Sequence, residues 1–271
     1  MRGYFYKNLY FRTDILSSKY YLNFSPKAKY YLFNKNGIPV VKYNKKLIVF
    51  PITIFNYFLG LVDSNSFKKS DFQTLKKYIN NQYSNGKFLI KHEFDELNFG
   101  NKSIWYSNLP HSILFSLIVR INLSGVFIGE YAQNLKFFYD SIFQKEIFNK
   151  KSIIFIEYPT IKNQPLNGQI FGLFAVYDAV QMGLEKDKLF FEKIINSTLK
   201  LTKNCTTFYG WSKYNSDRIS SPFYHFLHIS QLKVCEKLDK RFRVYRIKYQ
   251  IAIIFLPLVF IIKVLQKIIK N

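Results

Sequence analysis

Residues 165–180 read "PLNGQIFGLFAVYDAV", an apolar segment with the spacing of a buried α-helix. Gly168 and Gly172 lie one helical turn apart in it, and small residues at that spacing allow another helix to approach closely. Wide apolar stripes separated by short polar connectors recur in the segments 53–62, 70–83, 110–122, 130–147, 187–202 and 221–238. Sequential helix pairs bury such faces well, so the sequence predicts a mainly α fold, an (α/α) barrel or toroid.

The two ends of the chain differ from this helical middle. Residues 1–50 read as extended, with loosely alternating aromatic residues, an Asn36-Gly37 turn and no signal peptide at the start. The sequence therefore predicts a short β-rich N-terminal arm over 1–50, a helical catalytic domain over 51–240 and a basic, apolar tail over 241–271.

The tail places the apolar run "IAIIFLPLVFII" (251–262) behind the basic "KRFRVYRIK" (240–248). A helix of a dozen residues spans about 18 Å, which is too short to cross a hydrocarbon core of ~30 Å. Beyond Pro257, a helix would have two distinct faces. The apolar face would carry Leu258, Ile261, Ile262, Leu265, Ile268 and Ile269, and the polar face would carry Lys263, Gln266, Lys267 and Lys270. This amphipathic helix fits either a membrane interface or a closing helix packed on the protein's own core.

The composition favours a polyanionic partner. There are 40 Lys and Arg residues against 17 Asp and Glu, a formal net charge of +23 that would attract nucleic acid, anionic lipid or acidic polysaccharide alike. Enrichment in Lys, Asn, Ile, Phe and Tyr is also typical of an AT-rich genome. No nucleic-acid-binding module accompanies the charge, so nucleic acid is not an expected partner. Cys205 and Cys235 form no metal-type pair and no disulfide framework, which favours a reducing compartment. The expected location is therefore cytoplasmic, with the tail as the candidate for a peripheral membrane contact.

The stretch "EYPT" at 157–160 interrupts an apolar run. Pro159 excludes Tyr158 from the helical region, so the segment is extended and the side chains of Glu157 and Tyr158 point to opposite sides. Either they line a cleft, or Glu157 lies on the surface beside a packed tyrosine.

Two more stretches carry polar groups. In "FYHFLHISQL" (223–232), a helix would align Tyr224, His228 and Gln231 on one face, with His225 nearby, for sugar contacts or interhelical hydrogen bonds. No third ligand stands near the two histidines, so no metal site is predicted. The aromatic turn at 206–215 sets Tyr209 near Lys213, an arrangement that suits a sugar carboxylate or plain packing.

In order and spacing, these motifs resemble the C-terminal domain of the D-glucuronyl C5-epimerase family. The matching features are "WYS" (105–107), a helix ending in Arg120, "EYPT", "LNG" (166–168), the "GL…YD" helix, the tyrosine turn at 208–209 and "YHxxHIxQL" (224–232). The resemblance covers most of residues 19–235 and implies an (α/α) barrel that inverts C5 of uronic acids within an acidic polysaccharide, with no cofactor.

The resemblance also assigns residues. It implies the reacting set Glu157, Tyr158, Tyr209 and Tyr224, and substrate contacts from Trp105, Arg120, Asn167, Lys213, His225, His228 and Gln231. Because a phenol with a pKa near 10 is an acid at neutral pH, Glu157 is assigned as the base and Tyr224 as the acid on the opposite face. Tyr158 and Tyr209 would stabilise the enediolate or relay the proton.

The sequence departs from the family pattern in three places. "HSI" (111–113) replaces a Gln-Gly-Gln run, Ser221 and Phe223 replace an Arg and an Asp, and Ser212 and Lys213 replace an Arg-His pair. Two alternatives stay open: a polysaccharide lyase, which shares the first deprotonation, and a non-catalytic protein that binds acidic glycans, which the lost arginines favour. A homodimer is a further expectation that the sequence leaves open.

Overall fold

The computed structural model describes residues 19–29, 32–43, 45–84, 87–96, 99–125, 134–259 and 261, and eight α-helices lie within them. Their bounds are α1 Pro51–Asp63, α2 Lys69–Asn80, α3 Asn108–Leu123, α4 Leu135–Ser141, α5 Leu166–Gln181, α6 Lys188–Asn204, α7 Pro222–Leu238 and α8 Arg243–Ile251. The predicted mainly α class is therefore confirmed. Closure of the helices into a barrel or toroid stays a prediction.

Helices α3 and α5 form the centre of the core. Both are buried along almost their whole length, and their buried residues include polar side chains such as Arg120 of α3 and Asp178 of α5. Helix α1 packs on α3, while α6 and α7 pack on α5, and α8 packs on α7. Helix α6 is amphipathic: its apolar face packs inward, and its charged face lies on the outside.

The segment before α1 carries a small antiparallel sheet of β1 Leu32–Phe33, β2 Pro39–Tyr43 and β3 Lys46–Ile48, in that order. The predicted turn lies between β1 and β2, where Gly37 has a φ of +70° that favours glycine. The Asp63 carboxylate at the end of α1 accepts hydrogen bonds from the backbone N–H groups of Tyr20 (3.0 Å) and Phe24 (2.8 Å). The extended structure expected for residues 1–18 lies outside the described residues.

Four short hairpins fill the connections between helices. They pair β4 Tyr83–Ser84 with β5 Lys87–Phe88, β6 Lys91–Glu93 with β7 Ile104–Tyr106, β8 Phe148–Asn149 with β9 Ile154–Phe155, and β10 Lys213–Asn215 with β11 Arg218–Ile219. The last two position the candidate site, since β9 runs directly into Glu157 and β10 contains Tyr214.

Two predicted helices differ from the structure. Of the segment 130–147, only Leu135–Ser141 is helical, because the chain then turns to enter the β8–β9 hairpin; residues 130–133 lie outside the described part. After α8 the chain continues as a 3₁₀ turn, Ala252–Phe255, and is helical again to 259. The two faces expected over 262–270 lie outside the described residues. Within the described ranges, no helix has the length and apolar character needed to cross a membrane.

Candidate active site

Gly168 and Gly172 of α5 leave space on the helix surface, and the segment leading to "EYPT" packs into it. A Cβ built on Gly172 would lie 2.1 Å from the ring of Phe155, and one on Gly168 would lie 2.5 Å from Oε2 of Glu157. Close approach at these glycines was predicted, but the approaching element is the extended strand end and not a helix. The side chains of Phe155 and Glu157 therefore lie directly on the helix surface at these two glycines.

Gln164 holds the segment of Glu157 and Tyr158 in place. Its Oε1 accepts hydrogen bonds from the backbone N–H groups of Glu157 (2.8 Å) and Tyr158 (3.0 Å), and its Nε2 donates to the carbonyl of Tyr158 (2.9 Å). Gln164 thus replaces the partners that a sheet or helix would supply. The next residue, Pro159, has no N–H group, so its backbone needs no hydrogen-bond acceptor.

The Glu157 carboxylate is 4% exposed and has an unusual environment. The Tyr214 hydroxyl donates a hydrogen bond to Oε1 (3.2 Å), while no group of the described residues hydrogen-bonds to Oε2. Burial raises the pKa of Glu157 to about 7, although hydrogen bonds from Tyr214 and Tyr158 act in the lowering direction. A carboxyl group with such a pKa can exchange a proton near neutral pH.

Three phenols converge beside this carboxylate. The hydroxyls of Tyr158 and Tyr214 are 3.4 Å apart, and the rings of Tyr214 and Tyr224 meet edge to face at 4.5 Å. Burial, reinforced by the Glu157 charge, raises the pKa of Tyr224 to about 12 and those of Tyr158 and Tyr214 well above 10. All three are therefore protonated donors at neutral pH. Glu157, Tyr158 and Tyr224 were predicted as site residues, and the structure brings them together.

Tyr214 is the member that the sequence interpretation missed. Tyr209, which was assigned to the reacting set, lies instead against the 3₁₀ turn Ala252–Phe255, with its ring 5.6 Å from that of Phe255. The signal for Tyr214 was the alternation in "KYN" (213–215): on a strand, Lys213 and Tyr214 face opposite sides. Lys213 donates to the carbonyl of Ser216 (3.1 Å), whereas Tyr214 points to Glu157.

An aromatic cluster borders the phenols. The Trp105 ring stacks on His92 (3.9 Å) and lies 5.6 Å from Tyr158, and its Nε1 donates to the carbonyl of Phe94. Trp105 is 5% exposed, so it packs behind Tyr158 and fixes the orientation of that ring.

A cation also borders this cluster. The Phe99 ring contacts Tyr158 (4.4 Å) and stacks on Tyr214 (6.1 Å), and the Arg218 guanidinium lies 4.3 Å from its centroid. Arg218 is exposed and was not singled out from the sequence. It is a cation at the rim of the site.

Arg120, which was predicted to bind substrate, is in the core. It is 1% exposed, forms a salt bridge with Asp178, and its guanidinium lies over the rings of Tyr20 (5.2 Å) and Tyr21 (4.7 Å). Asp178 also accepts from the hydroxyls of Tyr21 and Ser116, both at 2.6 Å. This buried network joins α3, α5 and the N-terminal segment.

The two histidines of α7 meet at Ser212. His225 Nδ1 accepts from the Ser212 N–H (3.1 Å), so its Nε2 carries the proton and donates to the Tyr249 carbonyl (2.9 Å). His228 Nδ1 is 3.0 Å from the Ser212 hydroxyl, and no described group hydrogen-bonds to its Nε2. Burial lowers the pKa of His225 to about 4 and that of His228 to about 3, so both are neutral. His225 therefore joins helices, while His228, 6.4 Å from the Tyr224 ring, retains one unused nitrogen.

The predicted amides lie at the contact of α5 with α7. Gln231 Nε2 donates to the backbone carbonyl of Asn167 (3.2 Å). The Asn167 Oδ1 and the Gln231 Oε1 are both buried, and neither accepts a hydrogen bond from the described part of the chain. Buried polar oxygens of this kind are normally satisfied, so these two retain acceptor capacity toward a bound hydroxyl.

No group of three or more His, Cys, Asp or Glu side chains that could hold a metal ion occurs among the described residues. The site consists of one carboxylate and three phenols, groups that move protons. They can serve an acid–base reaction.

No curated protein matches the chain. A family model described as "D-glucuronyl C5-epimerase C-terminus" matches residues 132–251, a range that contains Glu157, Tyr158, Tyr214 and Tyr224. This match supports the resemblance read from the motifs: residues 132–251 are similar to the C-terminal domain of the D-glucuronyl C5-epimerase family.

Proposed function

We propose that this protein is a polysaccharide uronate C5-epimerase that inverts C5 of hexuronic acid residues within an acidic polymer. The observation that carries the proposal is the buried carboxylate of Glu157, hydrogen-bonded by Tyr214, which in turn contacts both Tyr158 and Tyr224. The family match over 132–251 supports epimerase chemistry in general.

The reaction requires proton transfer on both faces of a sugar ring. C5 of a hexuronate carries a weakly acidic hydrogen next to a carboxylate, and its removal leaves an enediolate whose charge must be stabilised. Inversion needs a base on one face and an acid on the other. In the proposal, Tyr158 and Tyr224 are the two groups, and both exchange protons with Glu157 through Tyr214.

Exposure suggests the order of the groups. Tyr158 and Tyr224 are half-buried, whereas Tyr214 and Glu157 are buried behind them at 8% and 4% exposure. In the proposed first step, the Tyr158 oxygen takes the C5 proton while its own proton passes through Tyr214 to Glu157. The C5–H electron pair enters the substrate carboxylate as the enediolate.

The second step completes the inversion. Tyr224 donates its phenolic proton to the opposite face of C5, the enediolate electron pair forms the new C5–H bond, and Tyr224 is left as a phenolate. The proton held by Glu157 returns through Tyr214 to Tyr224 and restores the starting state. Since each proton and electron pair is accounted for, the cycle consumes no oxidant or cofactor and runs in both directions.

We assign the substrate carboxylate to Arg218. Its guanidinium lies over Phe99, whose ring contacts Tyr158, and a guanidinium can bind a carboxylate through two parallel hydrogen bonds. Lys213, the cation expected from the sequence, donates instead to the Ser216 carbonyl. Arg218→Gln should therefore raise KM more than it lowers kcat.

The test is hydrogen exchange at C5. The protein is incubated with uronate-containing polysaccharides in D₂O, and deuterium at C5 is followed by NMR and mass spectrometry. Deuterium in intact chains with both C5 configurations is expected. An unsaturated, ultraviolet-absorbing product would identify a lyase instead. Binding without exchange on any polymer would contradict the proposal and indicate a glycan-binding protein.

A matched pair of variants ties the exchange to the site. Tyr214→Phe removes the hydroxyl that links Glu157 to the other phenols, and it should abolish exchange while polymer binding persists. Tyr83→Phe, at a tyrosine that is 48% exposed and belongs to the β4–β5 hairpin, is the control and should exchange normally.

A further inference from the structure

The C-terminal helical segment has a second apolar face that nothing in the described chain covers. Its large apolar side chains repeat every three or four residues, and each is between 38% and 71% exposed. These residues, here called the outer stripe, are Val244, Ile247, Ile251, Ile254, Leu258 and Ile261. Exposed apolar side chains scattered singly are ordinary, but a continuous row of six is characteristic of an interaction surface.

The opposite face of the same segment is fixed to the protein. Phe242, Tyr249, Ala252 and Val259 are all 0% exposed. His225 Nε2 donates to the Tyr249 carbonyl, and the Tyr249 hydroxyl donates to the carbonyl of Cys205 (3.2 Å). Because this inner face already packs on the core, the segment cannot rotate to hide the outer stripe.

Cations border the stripe. A groove of about 640 Å³ at its N-terminal end has a floor of Leu199, Val244 and Ile247, and Lys240, Arg241 and Arg243 line its edge. The exposed Lys248 follows one turn later. The sequence continues with Lys263, Lys267 and Lys270, which lie outside the described residues. Apolar surface framed by Lys and Arg complements an anionic lipid interface, where chains lie beneath negatively charged headgroups.

We propose that this segment binds an anionic lipid bilayer, with the outer stripe immersed in the interface and Lys240, Arg243 and Lys248 among the headgroups. From Val244 to Leu258 the segment of α-helix and 3₁₀ turn extends on the order of 20–25 Å, and its inner face is occupied by the core. The segment therefore lies along the surface. The sequence left two alternatives for the tail, a membrane contact or a closing helix. In this proposal the inner face closes the core and the outer face contacts the membrane.

A second copy of the chain is a less suitable occupant. A symmetric dimer through the outer stripe would bring the bordering cations of both copies together, in a protein whose net charge is already +23. A bilayer with anionic headgroups supplies the opposite charge.

The experiment is vesicle flotation of the full chain, which does not depend on enzymatic activity. Vesicles of phosphatidylcholine alone are compared with vesicles that also contain phosphatidylglycerol, at low and high salt. Flotation with the anionic vesicles, weakened by salt, is expected. Equal binding to both vesicle types, or binding to neither, would overturn the proposal.

Two paired variants test the stripe and its border. Ile251→Asn with Ile254→Asn should abolish flotation, whereas Leu47→Asn with Leu189→Asn, at equally exposed positions elsewhere, should leave it intact. Lys240→Gln with Lys248→Gln should weaken binding by roughly fivefold for each cation removed, and Lys186→Gln with Lys193→Gln should not. Sedimentation velocity is the last check: a wild-type dimer that the Asn pair converts to a monomer would assign the stripe to a second copy and refute lipid binding.

Discussion

Gly168 and Glu157 are in direct contact: a Cβ at position 168 would lie 2.5 Å from Oε2 of the carboxylate. Glu157 can be buried against α5 only because that position has no side chain. The same glycine therefore determines the depth at which the carboxylate lies and, through burial, its raised pKa of about 7.

Gly168→Ala should reduce C5 exchange with little loss of stability. The added methyl meets the end of a flexible side chain, so Glu157 must shift by roughly 1 Å, and a displacement of that size costs on the order of 100-fold in rate. Alanine in a helix is favoured over glycine by about 1 kcal/mol, which offsets the crowding. Exchange kinetics and urea unfolding measure the two effects. Gly172→Ala is the contrast: its methyl would lie 2.1 Å from the Phe155 ring, and overpacking should cost roughly 1–3 kcal/mol of stability.

The rate of exchange should rise with pH through about 7. Below its pKa of about 7, Glu157 is protonated and cannot accept the proton from Tyr214, so the rate should fall tenfold for each unit of pH. Release of tritium from C5-labelled polymer, measured from pH 5 to 9, gives the profile. A midpoint near 4.5, the ordinary value for Glu, would show that Glu157 is not the acceptor.

Glu157 should also make the protein less stable as pH rises. Its folded-state pKa, about 7, lies above the ordinary value of 4.5. The group therefore contributes stability that is complete below pH 4.5 and is lost between 4.5 and 7, on the order of 3 kcal/mol. In Glu157→Gln this loss should be absent. Urea unfolding of both proteins at several pH values measures the difference, and parallel pH dependences would contradict it.

Tyr214→Phe should be far more damaging to exchange than Tyr209→Phe. Tyr214 donates to Glu157, whereas Tyr209 packs near Phe255. Loss of a proton-relaying hydroxyl costs roughly 100- to 10,000-fold in rate, while the Tyr209 variant should change it by only a few fold. The reverse ranking, with both variants folded by circular dichroism, would return Tyr209 to the reacting set.

Arg120→Met should destabilise the fold by roughly 3–5 kcal/mol, because it leaves Asp178 as a buried, unpaired charge. Arg241→Met, which breaks the solvent-exposed pair with Asp239, should cost at most about 1 kcal/mol. Urea denaturation measures both. A stable Arg120→Met protein with a raised KM would instead support the substrate-binding role expected from the sequence.

Local patterns predicted much of this molecule. The apolar spacing of 165–180 and 187–202 predicted the helices α5 and α6, and Pro159 predicted that Tyr158 is not helical. These features depend on interactions between residues close in sequence, where periodicity and the steric demands of proline act directly.

Contacts between distant residues were decided by the tertiary structure. Tyr209 and Tyr214 are both tyrosines in one aromatic turn, and only the packing of β10 beside Glu157 distinguishes them. Arg120 lies near the end of an apolar helix whether it binds substrate or packs in the core. Only the position of Asp178, 58 residues further along the chain, shows that Arg120 is paired in the core.

The sequence by itself determined most of the helices and the non-helical break at Tyr158 and Pro159, since each follows from neighbouring residues. Only the tertiary structure decided which phenols surround Glu157 and which face of the tail is bare. Both depend on burial against elements far away in the chain, and burial is a property of the packed molecule.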